Sequence, residues 1–316
     1  MFPMIKLLYK IKVGENMILT VDNIVKSFGD KSVLKGISFN AESGKALGIL
    51  GRNGAGKTTL IRIIMGVFGA DSGNILIDGY PIDRKNLKMG YLPEERGLYP
   101  KKKIMEQLYY FASLKGVTKK VAKERADMLF KKLQIEEYKN VRLETLSKGN
   151  QQKVQLVAAL ICNPDMVILD EPFSGLDPVN ATLLKELVTE LIDNGKIVLF
   201  SSHQMNYIEE FCNNIVILNG GEIVLGGNID EIKKSYPRNI IEIKTDNIEK
   251  LSDYLKNSTF NNFKVEKNTL TITLEREDLK QDLLKFISES HIDIDEIKVK
   301  EPTLNEIFVK YTEGQI

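Results

Sequence analysis

The chain of 316 residues carries 43% hydrophobic and 28% charged side chains, which excludes a disordered or low-complexity protein. Lys and Arg number 44 against 43 Asp and Glu, so the net charge of +1 lacks the basic excess that a nucleic-acid partner usually leaves. Its length suits about two domains, its two cysteines (Cys162 and Cys212) point to a reducing compartment, and no apolar run reaches the roughly 18 residues of a membrane span.

Residues 1–16 are apolar and basic, with Phe2, Met4, Ile5, Leu7 and Leu8 among Lys6, Lys10 and Lys12. They read as an extension from a start codon placed too early, with a membrane-surface anchor as the alternative; an orderly strand pattern opens only at Met17. Strands are predicted over 18–25 and 32–39, joined by the turn Phe28-Gly29-Asp30, and over the short apolar run 46–50. A Gly-rich loop leads into a helical stretch at 58–67. Strands follow at 74–77 and 89–92, a mainly helical region at 104–163, a strand at 166–169, a helix at 178–194, a strand at 197–201 and a helix at 206–212. A hairpin of 215–218 and 222–225 closes around Asn219-Gly220-Gly221. This alternation predicts an α/β fold with a mostly parallel sheet.

The character changes near Ser235-Tyr236-Pro237. A first domain over 17–235 and a small α+β domain over 236–316 are expected. The second has strands at 239–244, 263–266, 270–274 and 292–299, helices at 247–256, 279–288 and 304–312, and a capping box at Thr303-x-x-Glu306. Its histidine, His291, stands in no chemical motif.

Gly51-Arg52-Asn53-Gly54-Ala55-Gly56-Lys57-Thr58 fits G-x-x-x-x-G-K-[ST] between a predicted strand and a predicted helix. Glycines let backbone N–H groups converge on phosphate oxygens, and the helix N-terminus adds partial positive charge. Lys57 would reach the β- and γ-phosphates, and Thr58 would offer its hydroxyl to Mg²⁺. The strand at 166–169 runs into Asp170-Glu171, and open α/β sheets bind ligands at the carboxyl ends of their strands. Asp170 is therefore expected near the metal, and Glu171 near the attacking water as general base or positioning group.

Leu146-Ser147-Lys148-Gly149-Asn150-Gln151-Gln152 resembles the signature motif of the ATP-binding cassette (ABC) ATPases, usually L-S-G-G-Q. Ser174-Gly175-Leu176-Asp177 resembles their D-loop, His203 after Phe200-Ser201-Ser202 their switch histidine, and Phe28 the aromatic that stacks on adenine. The resemblance covers residues 17–232. The tail Glu301-Pro302-Thr303-Leu304-Asn305-Glu306-Ile307-Phe308 is similar to the end of export-type members with a small C-terminal domain, such as sodium-extrusion or multidrug exporter subunits.

The resemblance implies a P-loop NTPase cassette: a mostly parallel core sheet, an antiparallel β subdomain and a helical subdomain, followed by the small α+β domain. It implies ATP and Mg²⁺ as cofactors. Lys57, Glu171 and His203 would be catalytic. Phe28, Gly51, Asn53, Gly54, Ala55, Gly56, Lys57, Thr58 and Thr59 would bind the nucleotide, and Thr58, Asp170 and Glu94 the metal. Ser147, Gly149 and Asn150 would reach a γ-phosphate across a head-to-tail homodimer or heterodimer, with Asp177 coupling the two sites. Lys148 and Asn150 depart from the usual signature, and Glu94 stands where the family usually has glutamine, so altered coupling or metal dependence is expected. The further implication is an exporter subunit on the cytoplasmic face of a bacterial membrane, driving a separate multi-span permease docked at residues 94–110. A soluble ABC ATPase acting on ribosomes or nucleic acid is the alternative; the single cassette, the lack of a heptad insert and the near-zero charge weigh against it. A regulator that binds without hydrolysis is disfavoured by Glu171 and His203.

Overall fold

The computed structural model describes residues 17–95 and 97–313; the expectations for residues 1–16 lie outside them. The chain forms two compact units, one running to Asn228 and including the residues from Phe308 onward, the other Ile229–Ile307. The division falls a few residues before the expected 235 because the last strand of the first unit is hydrogen-bonded only as far as Asn228. The final residues group with the first unit, although local pattern assigned them to the second.

In the first unit, β1 (Ile18–Phe28) and β2 (Lys31–Glu42) form a hairpin through Gly29-Asp30. β3 (Ala46–Gly51) leads through the Gly-rich loop into α1 (Lys57–Met65). β4 (Ser72–Ile77) and β5 (Tyr80–Pro81) complete an antiparallel sheet of order β2-β1-β4-β5. After β6 (Met89–Leu92) come α2 (Ile104–Leu114), α3 (Lys119–Lys132) and α4 (Lys148–Leu160). The predicted helical region is thus three α-helices, with 3-10 turns at Glu136–Tyr138 and Leu143–Thr145 between the last two. Gly116, at φ 71°, turns the chain out of α2, and Thr118 caps α3 by accepting from the Val121 N–H. β7 (Met166–Asp170), α5 (Pro178–Asp193), β8 (Ile197–Ser201), α6 (Met205–Phe211), β9 (Cys212–Asn219) and β10 (Glu222–Asn228) follow.

The second sheet has six strands in the order β10-β9-β3-β8-β7-β6, parallel throughout except for the β9–β10 hairpin. Every residue of β7 and β8 is buried, as expected for parallel strands covered on both faces. Gly48 of β3 packs tightly: a Cβ there would lie 3.0 Å from Ile215 Cγ2 and 3.1 Å from Ile208 Cγ2. The core joins both sheets and α1 through Leu19, Ile24, Ile49, Leu60, Ile64 and Ile168, among others.

The second unit begins with α7 (Ile229–Lys234), which sequence pattern missed, as it missed the two-residue β5. β11 (Ile240–Lys244), α8 (Ile248–Lys256), β12 (Phe263–Glu266), β13 (Thr269–Thr273), α9 (Lys280–Glu289), β14 (Glu296–Val299) and α10 (Leu304–Thr312) complete the chain, with residues from Phe308 grouping as above. Its sheet is antiparallel in the order β12-β13-β11-β14, over a core of Ile241, Ile243, Leu251, Leu255, Leu270 and Leu283. β14 is shorter than predicted. The capping box forms: Thr303 N–H donates to Glu306 Oε2 at 2.8 Å, and Glu306 N–H to Thr303 Oγ1 at 3.2 Å.

Candidate functional site

β3, β7 and β8 lie side by side, so their carboxyl ends bring the Gly-rich loop, Asp170-Glu171 and Ser201 to one edge of the sheet. There they open on a cleft of about 1180 Å³. Phe28, Gly51, Asn53, Gly54, Gly56, Lys57, Thr58, Thr59, Glu94, Asp170, Glu171 and His203 all line it. Of the predicted loop residues, Ala55 does not; it is buried beneath the loop, where a Cβ on Gly51 would lie 3.0 Å from its own.

Gly56 is the N-cap of α1 at φ 107°, and a Cβ there would lie 2.6 Å from Leu34 Cδ2. Glycine is therefore demanded by both conformation and space. No side chain caps α1 and no acidic residue occupies its first turn, so its N–H groups remain available to an anion. Lys57 Nζ donates to Gly51 O at 2.5 Å and Arg52 O at 3.3 Å. Burial holds the Lys57 ammonium below the usual lysine range, while Glu171, Asp170 and Glu94 pull it upward. Those three carboxylates thus act on the Lys57 ammonium from within the same cleft.

Asp170 is 5% exposed. Ser201 Oγ donates to its Oδ1 and Tyr91 OH reaches its Oδ2 at 3.5 Å. The serine contact follows from register, since Asp170 pairs with Ser201 across β7 and β8. Burial first, and the Asp170 charge second, push the Tyr91 phenol up to about 12, so it remains a neutral donor.

Glu171 is 6% exposed and sits at φ 49°, a left-handed conformation that costs a non-glycine residue about 1 kcal/mol or more. Its own hydrogen bonds hold it there. Glu171 N–H donates to Ser201 O at 3.0 Å. Its carboxylate accepts from Ser202 Oγ at 3.1 Å and from the His203 backbone N–H at 2.8 Å, and His203 Nδ1 lies 2.9 Å from Oε1. The imidazole is 70% exposed, so it faces the open cleft while the carboxylate is enclosed. Phe28 is 50% exposed, edge-on to Phe68 at 5.6 Å between centroids, with Lys26 Nζ 5.4 Å from its ring.

Among the described residues no cluster of three or more His, Cys, Asp and Glu side chains suits an all-protein metal cage. Mg²⁺ does not need one. It takes hard oxygen ligands, commonly one or two carboxylates together with substrate phosphates. Thr58, Asp170 and Glu94 supply such oxygens to the cleft, and so fit the ion.

Ser147, Gly149 and Asn150 are not among the residues lining this cleft. They start α4, where Ser147 Oγ accepts from the Asn150 N–H at 3.3 Å. A Cβ on Gly149 would lie 3.4 Å from Asn180 Nδ2 and 3.6 Å from Leu176 Cδ2, so the signature-like turn adjoins the D-loop-like segment. There Asp177 caps α5 through the Asn180 N–H, a bond that also holds its carboxyl below the usual carboxylate range. Sequence reading missed Tyr91, Ser201 and Ser202. The two serines precede His203 at the end of a predicted strand, and that position was the available signal.

Residues 34–174 match the ABC transporter family model, and residues 227–312 match the C-terminal domain of DrrA1-3-like ATP-binding proteins. The chain is 39% identical over 293 residues to the ABC transporter ATP-binding protein YhaQ of Bacillus subtilis, covering 92% of this chain and 97% of that one. This chain belongs to the ABC transporter ATP-binding proteins.

As an ABC ATPase it is an ATP hydrolase. Another relative is the linearmycin resistance ATP-binding protein LnrL of Bacillus subtilis, 32% identical over 93% of this chain and 98% of that one. Among solved structures, an ATP-binding subunit of an ABC transporter superposes with a TM-score of 0.64 at 30% identity, covering 69% of this chain and 92% of the other. The cassette fold accounts for the two sheets and the helical segment α2–α4. No helix among the described residues is long and apolar enough to cross a membrane.

Proposed function

We propose that the chain is the ATP-hydrolysing subunit of an ABC exporter, acting on the inner face of the membrane through a separate permease and through a second ABC ATPase subunit. The observation that carries this reading is the separation of two helix N-termini: α1 opens into the cleft, whereas the start of α4, with Ser147 and Gly149, does not. A head-to-tail copy of the chain, or a related subunit, would bring the second set of donors to the phosphate.

Within one protomer the loop N–H groups and Lys57 hold the β- and γ-phosphates. Lys57 exchanges its backbone acceptors for phosphate oxygens, which relieves the burial of an ammonium. Thr58 and Asp170, with Glu94 in the same cleft, would hold Mg²⁺, which would neutralise phosphate charge. Ser201 and Tyr91 keep Asp170 oriented. Glu171 accepts the proton of the attacking water, and Ser202 with the His203 backbone fixes its direction. His203 presents its exposed ring to the γ-phosphate and senses its loss.

For the permease, the supporting feature is a groove beside β6, lined by Met65, Pro93, Leu98, Phe111, Leu114 and Gln155. Gln155 is 4% exposed and both its amide atoms lack a hydrogen-bond partner, a costly arrangement at the floor of the groove. The loop over the groove is pinned: Gln107 accepts from Tyr99 N–H at 2.7 Å and donates to Tyr99 O at 3.0 Å and Lys102 O at 3.1 Å. Exposed Tyr99 and Tyr110 complete an apolar docking face. Outward transport is supported by the resistance that LnrL is named for. Affinity capture of the tagged chain from solubilised native membranes should recover a multi-span protein, and Gln155→Asp with Leu98→Asp should lose it. Recovery unchanged by these substitutions, or no membrane protein at all, overturns the reading.

A further inference from the structure

The cleft has a lining residue that comes from the last helix of the chain, outside the cassette motifs. Phe308, from α10, stands among the residues of β1, β2 and the Gly-rich loop, more than 80 residues along the chain from Gly220 and Gly221, the nearest lining residues in sequence. It is there because the end of α10 is tied to two elements that build the cleft. Asn219 Nδ2, at the end of β9, donates to Tyr311 O at 3.2 Å. Arg52 of the Gly-rich loop is ion-paired with Glu313. The last turn is closed on itself by Thr312 Oγ1 donating to Phe308 O at 2.8 Å and by Glu313 N–H donating to Val309 O at 2.9 Å. Thr312 is buried, whereas Phe308 is only half-buried. The segment is therefore fixed while its aromatic ring remains open to the cleft.

We propose that Phe308 is a second aromatic contact for the nucleoside of bound ATP, so that the chain's C-terminal end forms part of the nucleotide site. This deepens the reading of the cleft as the ATP site and rests on it. Phe28 is half exposed and can cover one side of a flat base. A base so bound leaves apolar surface in water unless a second group covers it, and aromatic groups do so with the largest contact area for the least lost freedom. Phe308 is the other phenylalanine lining the same cleft. The Arg52–Glu313 pair is exposed on both sides and contributes little energy alone. Its consequence is positional: it carries the α10 end with the loop that grips the phosphates.

The test is equilibrium binding of a fluorescent N-methylanthraniloyl ATP and steady-state ATPase kinetics, on the full chain with its partner subunits. Phe308→Ala should weaken binding about three- to tenfold and raise KM for ATP by a similar factor with kcat held, and Phe308→Tyr should restore both. Glu313→Gln, an exposed change that leaves the fold intact, should weaken binding by a smaller factor. Unchanged binding in both Phe308→Ala and Glu313→Gln overturns the proposal. So does tighter binding or faster turnover in either variant, because the segment would then be shielding the cleft. Lys57→Ala separates the two levels. If it binds the probe like the unaltered chain, the cleft is not the nucleotide site; if it loses binding while the C-terminal variants do not, only the proposal about Phe308 falls.

Discussion

Asp170 shows how far a buried carboxylate depends on single neighbours. Its buried carboxylate takes a hydrogen bond from Ser201 Oγ and a longer one from Tyr91 OH. Ser201→Ala leaves Oδ1 without its donor and should cost about 1–3 kcal/mol of stability, read by urea unfolding, together with a higher Mg²⁺ requirement for turnover. Tyr91→Phe should do less, since a 3.5 Å contact is at the limit of a hydrogen bond. A loss in Tyr91→Phe exceeding that in Ser201→Ala would count against this ordering. Lys57 carries a pH dependence. Burial lowers its folded-state pKa below the usual 10.5, so fewer protons are bound in the folded than in the unfolded chain between the two values. Its buried charge therefore costs stability at neutral pH, and that cost is relieved as pH rises through the lowered pKa. With Lys57 in the proposed role, ATP binding has the opposite sign, because phosphates held by an ammonium need it charged. The Kd for ATP should rise on the alkaline side before pH 10.5 is reached, whereas a profile flat to that point would remove Lys57 from the phosphate site.

At the scale of elements, sequence pattern found the strands and helices that have strong periodicity or apolar runs. β3, β7 and β8 were plain because strands buried on both faces are continuously apolar. The helical region 104–163 was recognised, and its internal breaks at Gly116 and Thr118 were not. β5 and α7 escaped because two and six residues offer too little periodicity to detect. The α1 N-terminus was fully readable, and its dependence on Gly56 is a direct consequence of φ 107° and the nearby Leu34 side chain. Gly56→Ala should destabilise the fold by roughly 1–3 kcal/mol and abolish ATP binding, measured by thermal melting and nucleotide titration. Normal binding in that variant would mean that the loop can rebuild itself around a methyl group.

At the scale of the molecule, the cleft of one chain holds the Gly-rich loop, the carboxylates and His203, and leaves Ser147 and Gly149 outside. The proposed completion across a subunit boundary has a measurable consequence. Glu171→Gln should bind ATP, lose about 10²–10³ in kcat and accumulate as a nucleotide-dependent dimer in light scattering. Adding Gly149→Asp should return it to the monomer, because a carboxylate at that helix start would repel the γ-phosphate. A Glu171→Gln chain that turns over ATP normally would remove Glu171 as the base. Buried Cys162 and Cys212 take no part: burial pushes both thiols up in pKa, leaving neither a ready nucleophile.

The sequence by itself determined the local chemistry: a phosphate loop between a strand and a helix, a carboxylate pair at a strand end, and a signature-like turn before a helix. Those features are legible because each needs particular residue types at fixed spacing within a few positions. Tertiary structure alone decided which of them meet. The parallel order β3-β8-β7 put Ser201 beside Asp170 and Glu171 beside His203, while α4 began elsewhere. It also brought Phe308 to a cleft built far away in the chain. Contacts of that kind are set by sheet order and by the path of the backbone, and no local periodicity records them.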